Sequence, residues 1–248
     1  MTDTLEAPPP PALPAQDCPR CGAQHHSLFR MCEACLQSIH QPFTQQQQEA
    51  VSAEKRALAG KLWERLCPPA YRRTDWQNHP ELSPVCRNLA KAWTPPRGVL
   101  ENGLGIFGPT GRGKTRCMYA ILSRLHFSGW PCLAIEATRF ADAALIAADL
   151  RAPWADKREA RELLRRCQTV SVLFFDDLGK EHSLPSVAKA MHELFENREA
   201  YGRVTLWTSE RTGDEMAQFL GANYADGITR RLRDTCAIHS TEDLPLSE

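Results

Sequence analysis

The sequence predicts an α/β fold in which helices flank a parallel β-sheet, with a small cysteine-rich module in front of it. Three observations indicate this fold. A glycine-rich loop at 108–115 lies between a short apolar run and a helix-forming run. A second apolar run, within 170–181, ends in two adjacent carboxylates. Around both segments β-rich runs alternate with helix-forming runs, which is typical of parallel strands joined by right-handed crossovers.

The N-terminal part predicts a metal-binding module. Residues 1–16 are rich in proline and alanine, and we expect them to be disordered. Residues 17–40 carry two C-x-x-C pairs, which together can close a tetrahedral zinc site. The expected Zn²⁺ ligands are Cys18, Cys21, Cys32 and Cys35. Disulfides or unliganded thiols are the alternative, and we expect His25 and His26, between the pairs, at the surface.

Residues 41–67 predict a helical linker. The run 44–66 has few helix breakers and Thr44 as a candidate N-cap, so we expect a mostly polar helix; a flexible, partly helical segment is the alternative. The main domain is expected over 68–242, followed by a short tail at 243–248.

The main domain begins irregularly and then alternates strands with helices. Residues 67–84 are rich in proline, and a helix at 85–93 and a loop lead to the first core strand. Strands are expected at 103–107, at 130–137, within 170–181 and at 203–209. Helices are expected at 116–127, 138–150, 157–167, 186–202 and 213–220. The run within 170–181 is apolar at successive positions, which is typical of a central strand buried on both faces.

Residues 108–115 read GPTGRGKT and match the phosphate-binding P-loop pattern G-x-x-x-x-G-K-[ST]. Glycines let backbone N–H groups turn toward a phosphate chain, and the N-terminus of the next helix favours anions. Lys114 would serve the β- and γ-phosphates of ATP, and Thr115 would offer its hydroxyl to Mg²⁺. The expected loop residues of the nucleotide site are Gly108, Pro109, Thr110, Gly111, Arg112, Gly113, Lys114, Thr115 and Arg116. A chance glycine-rich turn before a lysine is the alternative.

Asp176 and Asp177 follow the apolar part of 170–181. Ligands of parallel sheets bind at the carboxyl ends of the strands, where these two residues are expected. Because side chains alternate along a strand, the two carboxylates should do different work. Asp176 is the expected Walker B residue on the Mg²⁺ side of the nucleotide, and Asp177 the acid that orients the attacking water. Solvated acids in a strand-end turn are the alternative.

Composition excludes few classes of function. The 248 residues contain 30 Lys+Arg and 30 Asp+Glu, so the net charge is zero and argues neither for nor against nucleic acid. No apolar run approaches the roughly 20 residues that cross a bilayer, and the N-terminus lacks the features of a secretory signal. We therefore expect a cytoplasmic protein without a membrane partner. Ten cysteines are many for that compartment, where disulfides are rare.

The region from about 67 to 240 resembles the DnaC/IstB branch of the AAA+ ATPases, which includes loaders of replicative helicases and transposition helper ATPases. The resemblance is carried by GPTGRGKT, LFFDDLGKE and VTLWTSE, and CPPAYRRTDWQN is similar to the segment that enters this family's core. A cysteine module in front of such a core is also similar to some helicase loaders.

The resemblance implies further site residues. The polar end of VTLWTS matches the family's sensor 1 position, which helps place water near the γ-phosphate, and Thr208 and Ser209 are the candidates. Glu210 stands where the family often has Asn. An ordinary strand end is the alternative.

GITRRLRD is similar to the family's arginine box, from which an arginine reaches the γ-phosphate held by a neighbouring subunit. Arg231 fits the pattern best, with Arg230 and Arg233 as rivals, and Gly227 stands where loaders often carry an earlier arginine. A solvated basic helix is the alternative. Arg198 is a weaker candidate for this role, and we expect it in a surface ion pair.

The resemblance implies an ATPase that loads a DnaB-type helicase onto single-stranded DNA and forms an ATP-dependent homo-oligomer. About fifteen residues follow Arg233, too few for a helical lid, so a lone chain is expected to be a weak ATPase. The alternatives are an IstB-type helper that binds duplex DNA and a transposase, and a nucleotide-gated adaptor with negligible turnover. The candidate DNA contacts are Arg151, Lys157, Arg158, Arg161, Arg165 and Arg166. A salt-bridged exposed helix is the alternative for that stretch.

Overall fold

The computed structural model describes residues 14–26, 30–35, 45–72, 82–96, 103–181, 184–220 and 224–241, without the side chains of 45–51. The expected disordered segment lies mostly outside these residues, and so do the short tail and parts of 17–40 and 67–84. The chain divides into two compact units, Met1–Lys55 and Arg56–Glu248. None of the helices described is long and apolar enough to cross a membrane.

The first unit contains a short hairpin. Strands β1 (Gln16–Asp17) and β2 (Gln24–His25) pair antiparallel. In the turn between them the Cys18 N–H donates to the Ala23 carbonyl at 2.9 Å, and the Gly22 N–H donates to the Cys18 carbonyl at 2.8 Å. Gly22 has a φ of 73°, a conformation that glycine adopts without strain. The two cysteines of the first C-x-x-C pair therefore both lie in this turn.

Helices α1 (Gln45–Leu66) and α2 (Pro84–Ala92) lie before the sheet in the chain. Helix α1 runs continuously through the segment in which a mostly polar helix is expected. In the second unit its buried Trp63 packs with a ring-centroid distance of 5.7 Å to His126 and 6.0 Å to Phe127. Helix α2 (Pro84–Ala92) begins with a proline, which suits the first turn because the missing N–H has no partner there.

The second unit is built on five parallel strands. They are β3 (Gly103–Phe107), β4 (Cys132–Glu136), β5 (Val172–Leu178), β6 (Val204–Ser209) and β7 (Cys236–Ser240). Their order across the sheet is β4-β5-β6-β3-β7, and every neighbouring pair is parallel. The predicted parallel α/β fold is therefore confirmed.

Six helices connect the strands. They are α3 (Lys114–Phe127), α4 (Ala137–Ala148), α5 (Trp154–Thr169), α6 (Pro185–Ala200), α7 (Gly213–Leu220) and α8 (Ala225–Thr235). Helices α2 and α3 pack on one face of the sheet, and α4 to α8 supply the core on the other. The sheet is thus covered on both sides, as parallel sheets generally are.

Successive side chains of strand β5 pack on opposite faces of the sheet. Leu173 and Phe175 pack toward α4 and α6, while Val172 and Phe174 pack toward α3. All four side chains are fully buried, as expected of a central strand. The carboxyl end of β5 lies beside those of β4 and β6 and therefore brings its acidic residues to one edge of the sheet.

Strand β7 is not predicted from the sequence, and helix α8 is predicted only as the alternative for GITRRLRD. The strand reads CAIHS, which lacks the apolar run that marks the inner strands, and most of its residues are half-buried. It pairs with β3 alone, at the edge of the sheet. An edge strand needs only one apolar face, and five residues are too few to show that pattern.

The expectation of a surface ion pair for Arg198 is wrong. This side chain is buried, with only 1% of its surface exposed. It donates to the Thr205 hydroxyl and to the carbonyls of Cys167, Val170 and Val204, at 2.5–2.9 Å. Backbone carbonyls rather than carboxylates therefore satisfy its guanidinium, and it joins the ends of α5 and β6 inside the domain.

Candidate functional site

The P-loop joins β3 to α3 and is closed in by residues on either side. Gly113, the last loop residue, has a φ of 88°, in the left-handed region. A Cβ at Gly113 would lie 2.9 Å from a methyl group of Leu82, and one at Gly108 would lie 2.1 Å from the Thr241 hydroxyl. Both glycines are thus required by packing as well as by backbone conformation.

Lys114 is the first residue of α3 and points back into the loop. Its Nζ donates to the carbonyl of Gly108 at 2.7 Å and to that of Pro109 at 2.9 Å. The side chain is buried, and burial lowers the pKa of its ammonium. A phosphate would bind this ammonium better than two neutral carbonyls, because charge-assisted hydrogen bonds are stronger.

Asp176 is the centre of a cluster of oxygens at the end of β5. The hydroxyl of Thr115 donates to its Oδ1 at 3.1 Å, and the hydroxyl of Thr208 donates to the same oxygen. Burial raises the pKa of Asp176 to about 6, and the neighbouring charges of Asp177 and Glu136 act in the same direction. A buried carboxylate beside two hydroxyls is the kind of oxygen set that Mg²⁺ prefers. These residues and the glycine loop therefore fit a nucleotide with its metal ion.

Asp177 lies in a different environment from its neighbour. Its φ is 58°, and the pairing of β5 with β6 shifts between Phe175 and Leu178. Its N–H donates to the Thr208 hydroxyl at 3.0 Å, while its half-exposed carboxylate accepts from Lys180 Nζ at 3.1 Å. The bulge thus separates the two carboxylates, leaving Asp176 buried and Asp177 at the rim.

The two sensor candidates differ in their contacts. Thr208 bridges the adjacent acids, because its hydroxyl donates to Asp176 and accepts from the N–H of Asp177. The Ser209 hydroxyl instead donates to the Leu178 carbonyl at 2.7 Å and accepts from the Arg211 N–H at 2.9 Å. The structure therefore brings Thr208, but not the Ser209 hydroxyl, to the carboxylates.

Glu210 and Lys180 also lie at the edge of the sheet where β5 and β6 end. Neither residue has a role among the sequence predictions. One oxygen of Glu210 accepts from the Thr110 hydroxyl and from Lys180 Nζ, the latter at 3.0 Å. The Thr110 hydrogen bond and then the Lys180 contact lower the pKa of Glu210. The sequence signal was present, since Lys180 follows Asp177 by three residues and Glu210 follows the sensor candidates directly.

The arginine candidates of α8 are placed differently. Arg231 is largely buried: its Nη2 donates to Glu196 at 3.0 Å, and its Nε lies 3.0 Å from a Glu199 oxygen without a hydrogen bond. Arg230 is exposed and pairs with Asp234 of the same helix at 3.1 Å, and Arg233 is exposed. Arg231 thus ties α8 to α6 within its own chain, and its role across a subunit boundary stays a prediction.

Arg112 and Arg116 both contact the part of the chain that precedes the sheet. The carbonyl of Arg112 accepts from the Ser83 N–H at 3.0 Å, which fastens the loop to the start of α2. Arg116 donates to the Ala70 carbonyl at 3.0 Å, and its guanidinium lies 5.5 Å from the centre of the Tyr71 ring. Arg116 therefore holds the segment before α2 against α3.

The four predicted zinc ligands form one cluster. The Sγ atoms of Cys18, Cys21, Cys32 and Cys35 all lie within 4.8 Å of one another. Hydrogen bonds from backbone N–H groups, chiefly that of Cys32, lower the pKa of Cys18 to about 6, whereas the sulfur of Cys21 raises that of Cys35 to about 12. Four thiolates repel one another at this spacing, so the donor set fits a divalent cation such as Zn²⁺. His25 bonds to the carbonyl of Arg30 at 3.3 Å and does not belong to the cluster.

Solved structures of replication proteins are similar to this chain in fold. A DnaI crystal structure is 22% identical, with a TM-score of 0.48, and the match covers 62% of this chain and 79% of DnaI. The DnaC helicase loader is 16% identical, with a TM-score of 0.49 and coverages of 73% and 98%. AMPPCP-bound DnaA from Aquifex aeolicus is 17% identical, with a TM-score of 0.47; the match covers 73% of this chain and 49% of DnaA, about half its length.

Sequence comparison identifies the central domain. None of the curated proteins matches this chain. Residues 103–221, from β3 to just beyond α7, match the family model described as AAA domain (dynein-related subfamily). That region contains the P-loop, both acids of β5 and the sensor candidates of β6. The second unit therefore has a P-loop AAA fold, with a five-stranded parallel sheet flanked by helices.

Proposed function

We propose that this protein is a Mg²⁺-dependent ATPase that loads a DnaB-type replicative helicase onto single-stranded DNA. The observation that carries the ATPase part is the convergence of Thr115 and Thr208 on one oxygen of Asp176, directly beside the P-loop. Such an arrangement joins the phosphate-binding loop, the metal-binding acid and the sensor strand. AAA domains use these three parts to hydrolyse nucleotides.

Each residue has a distinct part in the proposed reaction. Lys114 binds the β- and γ-phosphates, and Thr115 and Asp176 hold Mg²⁺, which when bound neutralises charge on the phosphates. Asp177 accepts a hydrogen bond from the attacking water at its exposed carboxylate. Thr208 fixes the positions of Asp176 and Asp177 relative to each other through its two hydrogen bonds.

The helicase-loading part rests on the sequence resemblance to the loader branch. LFFDDLGKE and VTLWTSE are more specific than the P-loop, which many nucleotide-binding proteins share. The N-terminal cysteine module is the proposed contact with the helicase, since it belongs to a compact unit of its own. ATP would drive self-assembly of the protein and its binding to single-stranded DNA.

Helix α5 offers a surface that suits single-stranded DNA. Trp154 is 70% exposed, and the guanidinium of Arg158 lies 5.0 Å from the centre of its ring. Arg161 and Arg165 follow on the same face, with one carboxylate, Glu162, bonded to Arg165 at 2.7 Å. An exposed aromatic ring among arginines can stack on a base while the charges contact phosphates.

DNA binding is tested with a labelled oligo(dT) and fluorescence anisotropy. We expect Trp154→Ala to weaken binding about tenfold through loss of one stacked base, and Arg161→Gln to reduce the salt slope by about 1. Trp130→Ala, at another exposed tryptophan before β4, is the control and should change neither quantity. Equal binding by all four proteins would exclude α5 as the DNA surface.

Loading itself is tested with a purified DnaB-type helicase, circular single-stranded DNA and ATP. We expect the full chain to increase the helicase retained on the circle, and Lys114→Ala to abolish that increase. Retention no greater than with helicase alone would contradict the loader proposal. Tight binding of duplex DNA in the same assay would favour the transposition-helper alternative.

A further inference from the structure

The carboxylate of Glu210 lies against the P-loop. It follows the last residue of β6, and one of its oxygens accepts the hydroxyl proton of Thr110, the third residue of the loop. The side chain is 37% exposed, so it reaches solvent on one side and the loop on the other. A fixed negative charge therefore borders the loop that is built to receive phosphates.

Lys180 is the cation that balances this charge. Its ammonium lies 3.0 Å from Glu210 and 3.1 Å from Asp177, so one positive charge serves two carboxylates. Both carboxylates raise the pKa of Lys180, chiefly through the hydrogen bond with Glu210. The trio keeps a formal charge of minus one at the edge where β5 and β6 end.

The loop residue that Glu210 contacts is close in the chain to the lysine of the P-loop. Lys114 follows Thr110 by four residues and is the residue that serves the β- and γ-phosphates. A negative charge bonded to Thr110 therefore lies at the loop that would receive the phosphate by which ATP differs from ADP.

We propose that Glu210 is a specificity-determining residue that weakens triphosphate binding relative to diphosphate binding, and that Lys180 limits this effect by pairing with it. The inference deepens the proposed ATP-binding function and rests on it. A third phosphate adds negative charge near Glu210 and competes for the Thr110 hydroxyl and the Lys180 ammonium. A diphosphate adds less charge there and leaves the pairing intact.

The test measures equilibrium binding of AMPPNP·Mg²⁺ and ADP·Mg²⁺ by calorimetry, so no turnover is needed. Glu210→Gln keeps the shape of the side chain and removes its charge. We expect this variant to bind AMPPNP about tenfold more tightly and ADP within about twofold of the wild type. Glu193→Gln, at an exposed glutamate of α6 that pairs with Lys189 at 3.8 Å, is the matched control and should leave both constants unchanged.

A second pair of variants tests the part of Lys180. Lys180→Gln should lower the preference for AMPPNP because it leaves Glu210 unbalanced. Adding Glu210→Gln to that variant should restore at least the wild-type preference. If the loss persists in the double variant, the ammonium acts directly on the phosphates and the proposed pairing is overturned.

The outcomes separate this inference from the function beneath it. A wild type that binds neither nucleotide would remove the proposed function and the inference together. A wild type that binds both, with an unchanged AMPPNP-to-ADP ratio in Glu210→Gln, would remove the inference alone. Weaker AMPPNP binding by Glu210→Gln would also overturn it, because Glu210 would then help to hold the triphosphate.

Discussion

Asp176 is a buried carboxylate, so the cost of its charge can be measured as a change in the stability of the nucleotide-free protein. Because burial raises its pKa to about 6, the folded protein keeps the proton to a higher pH than the unfolded chain does. Stability is therefore lost as the pH rises from the ordinary carboxyl range to about 6. Asp176→Asn removes the charge and keeps an oxygen for Thr115 and Thr208.

We expect Asp176→Asn to stabilise the nucleotide-free protein at pH 7.5 by about 2 kcal/mol, and by much less at pH 4. The same variant should lose Mg²⁺-dependent ATP binding. Urea unfolding at the two pH values measures the first effect, and calorimetry the second. A variant less stable than the wild type at pH 7.5 would show that the charge of Asp176 is compensated in the fold.

Asp177 is expected to act on turnover rather than on binding. Its carboxylate is half-exposed and pairs with Lys180, while the Thr115 hydroxyl bonds to Asp176, so Asp177→Asn should still bind ATP. Hydrolysis should fall by about 100-fold, which is typical of the loss of a general base. Asp142→Asn, at an exposed aspartate of α4, is the control. Wild-type turnover in Asp177→Asn would mean that another group orients the water.

At the scale of elements, we expect the cysteine module to fold around a metal ion. Among the described residues of the first unit the buried side chains are those of Cys18 and Cys32, so metal binding would supply folding free energy. We expect elemental analysis to find one zinc per chain. Cys18→Ser/Cys21→Ser should lose the metal, while Cys132→Ser, which alters a half-buried cysteine of β4, should keep it.

Removal of that zinc should leave the AAA domain folded. A zinc-selective chelator, added with Mg²⁺ in excess, should abolish the ordered signals of the N-terminal unit, and the P-loop domain should keep its unfolding midpoint and its ATP binding, since the two are separate compact units. Purified protein without zinc, or loss of ATP binding on chelation, would contradict this expectation.

At the scale of the whole molecule, an arginine that reaches the nucleotide of a neighbouring subunit predicts an ATPase site shared by two chains. Because Arg231 also pairs with Glu196 and Glu199, Arg231→Lys is the variant of choice, as it keeps a charge for that contact. We expect Arg231→Lys and Lys114→Ala to be poor ATPases alone. Their mixture should recover part of the activity, since one supplies the loop and the other the arginine.

Arg230→Gln and Arg233→Gln, mixed in the same way, identify which arginine acts. Thermal unfolding of each variant separates a catalytic loss from a loss of fold. ATP and single-stranded DNA together should promote oligomers and raise turnover of the wild type. Full activity of a strictly monomeric wild type, with no recovery in any mixture, would mean that each chain completes its own site.

Several features were readable from the sequence because their information is local. The P-loop is eight consecutive residues whose glycines and lysine carry the geometry themselves. An apolar run predicted the inner strand β5, because a strand covered on both faces has apolar side chains at successive positions. The two C-x-x-C pairs indicated a four-thiol cluster, and the four sulfur atoms do lie together.

Only the tertiary structure decided which distant side chains meet. Glu210 and Thr110 are 100 residues apart in sequence and share a hydrogen bond because β6 ends beside the P-loop. From the sequence we expect Arg198 in a surface ion pair and Arg231 at a subunit boundary, yet carbonyls enclose the first and glutamates of α6 hold the second. Strand β7 depends on pairing with β3 rather than on its own residues. Local patterns determine motifs and inner strands, whereas edge strands and charge pairs depend on how the helices and strands pack, which no short stretch of sequence specifies.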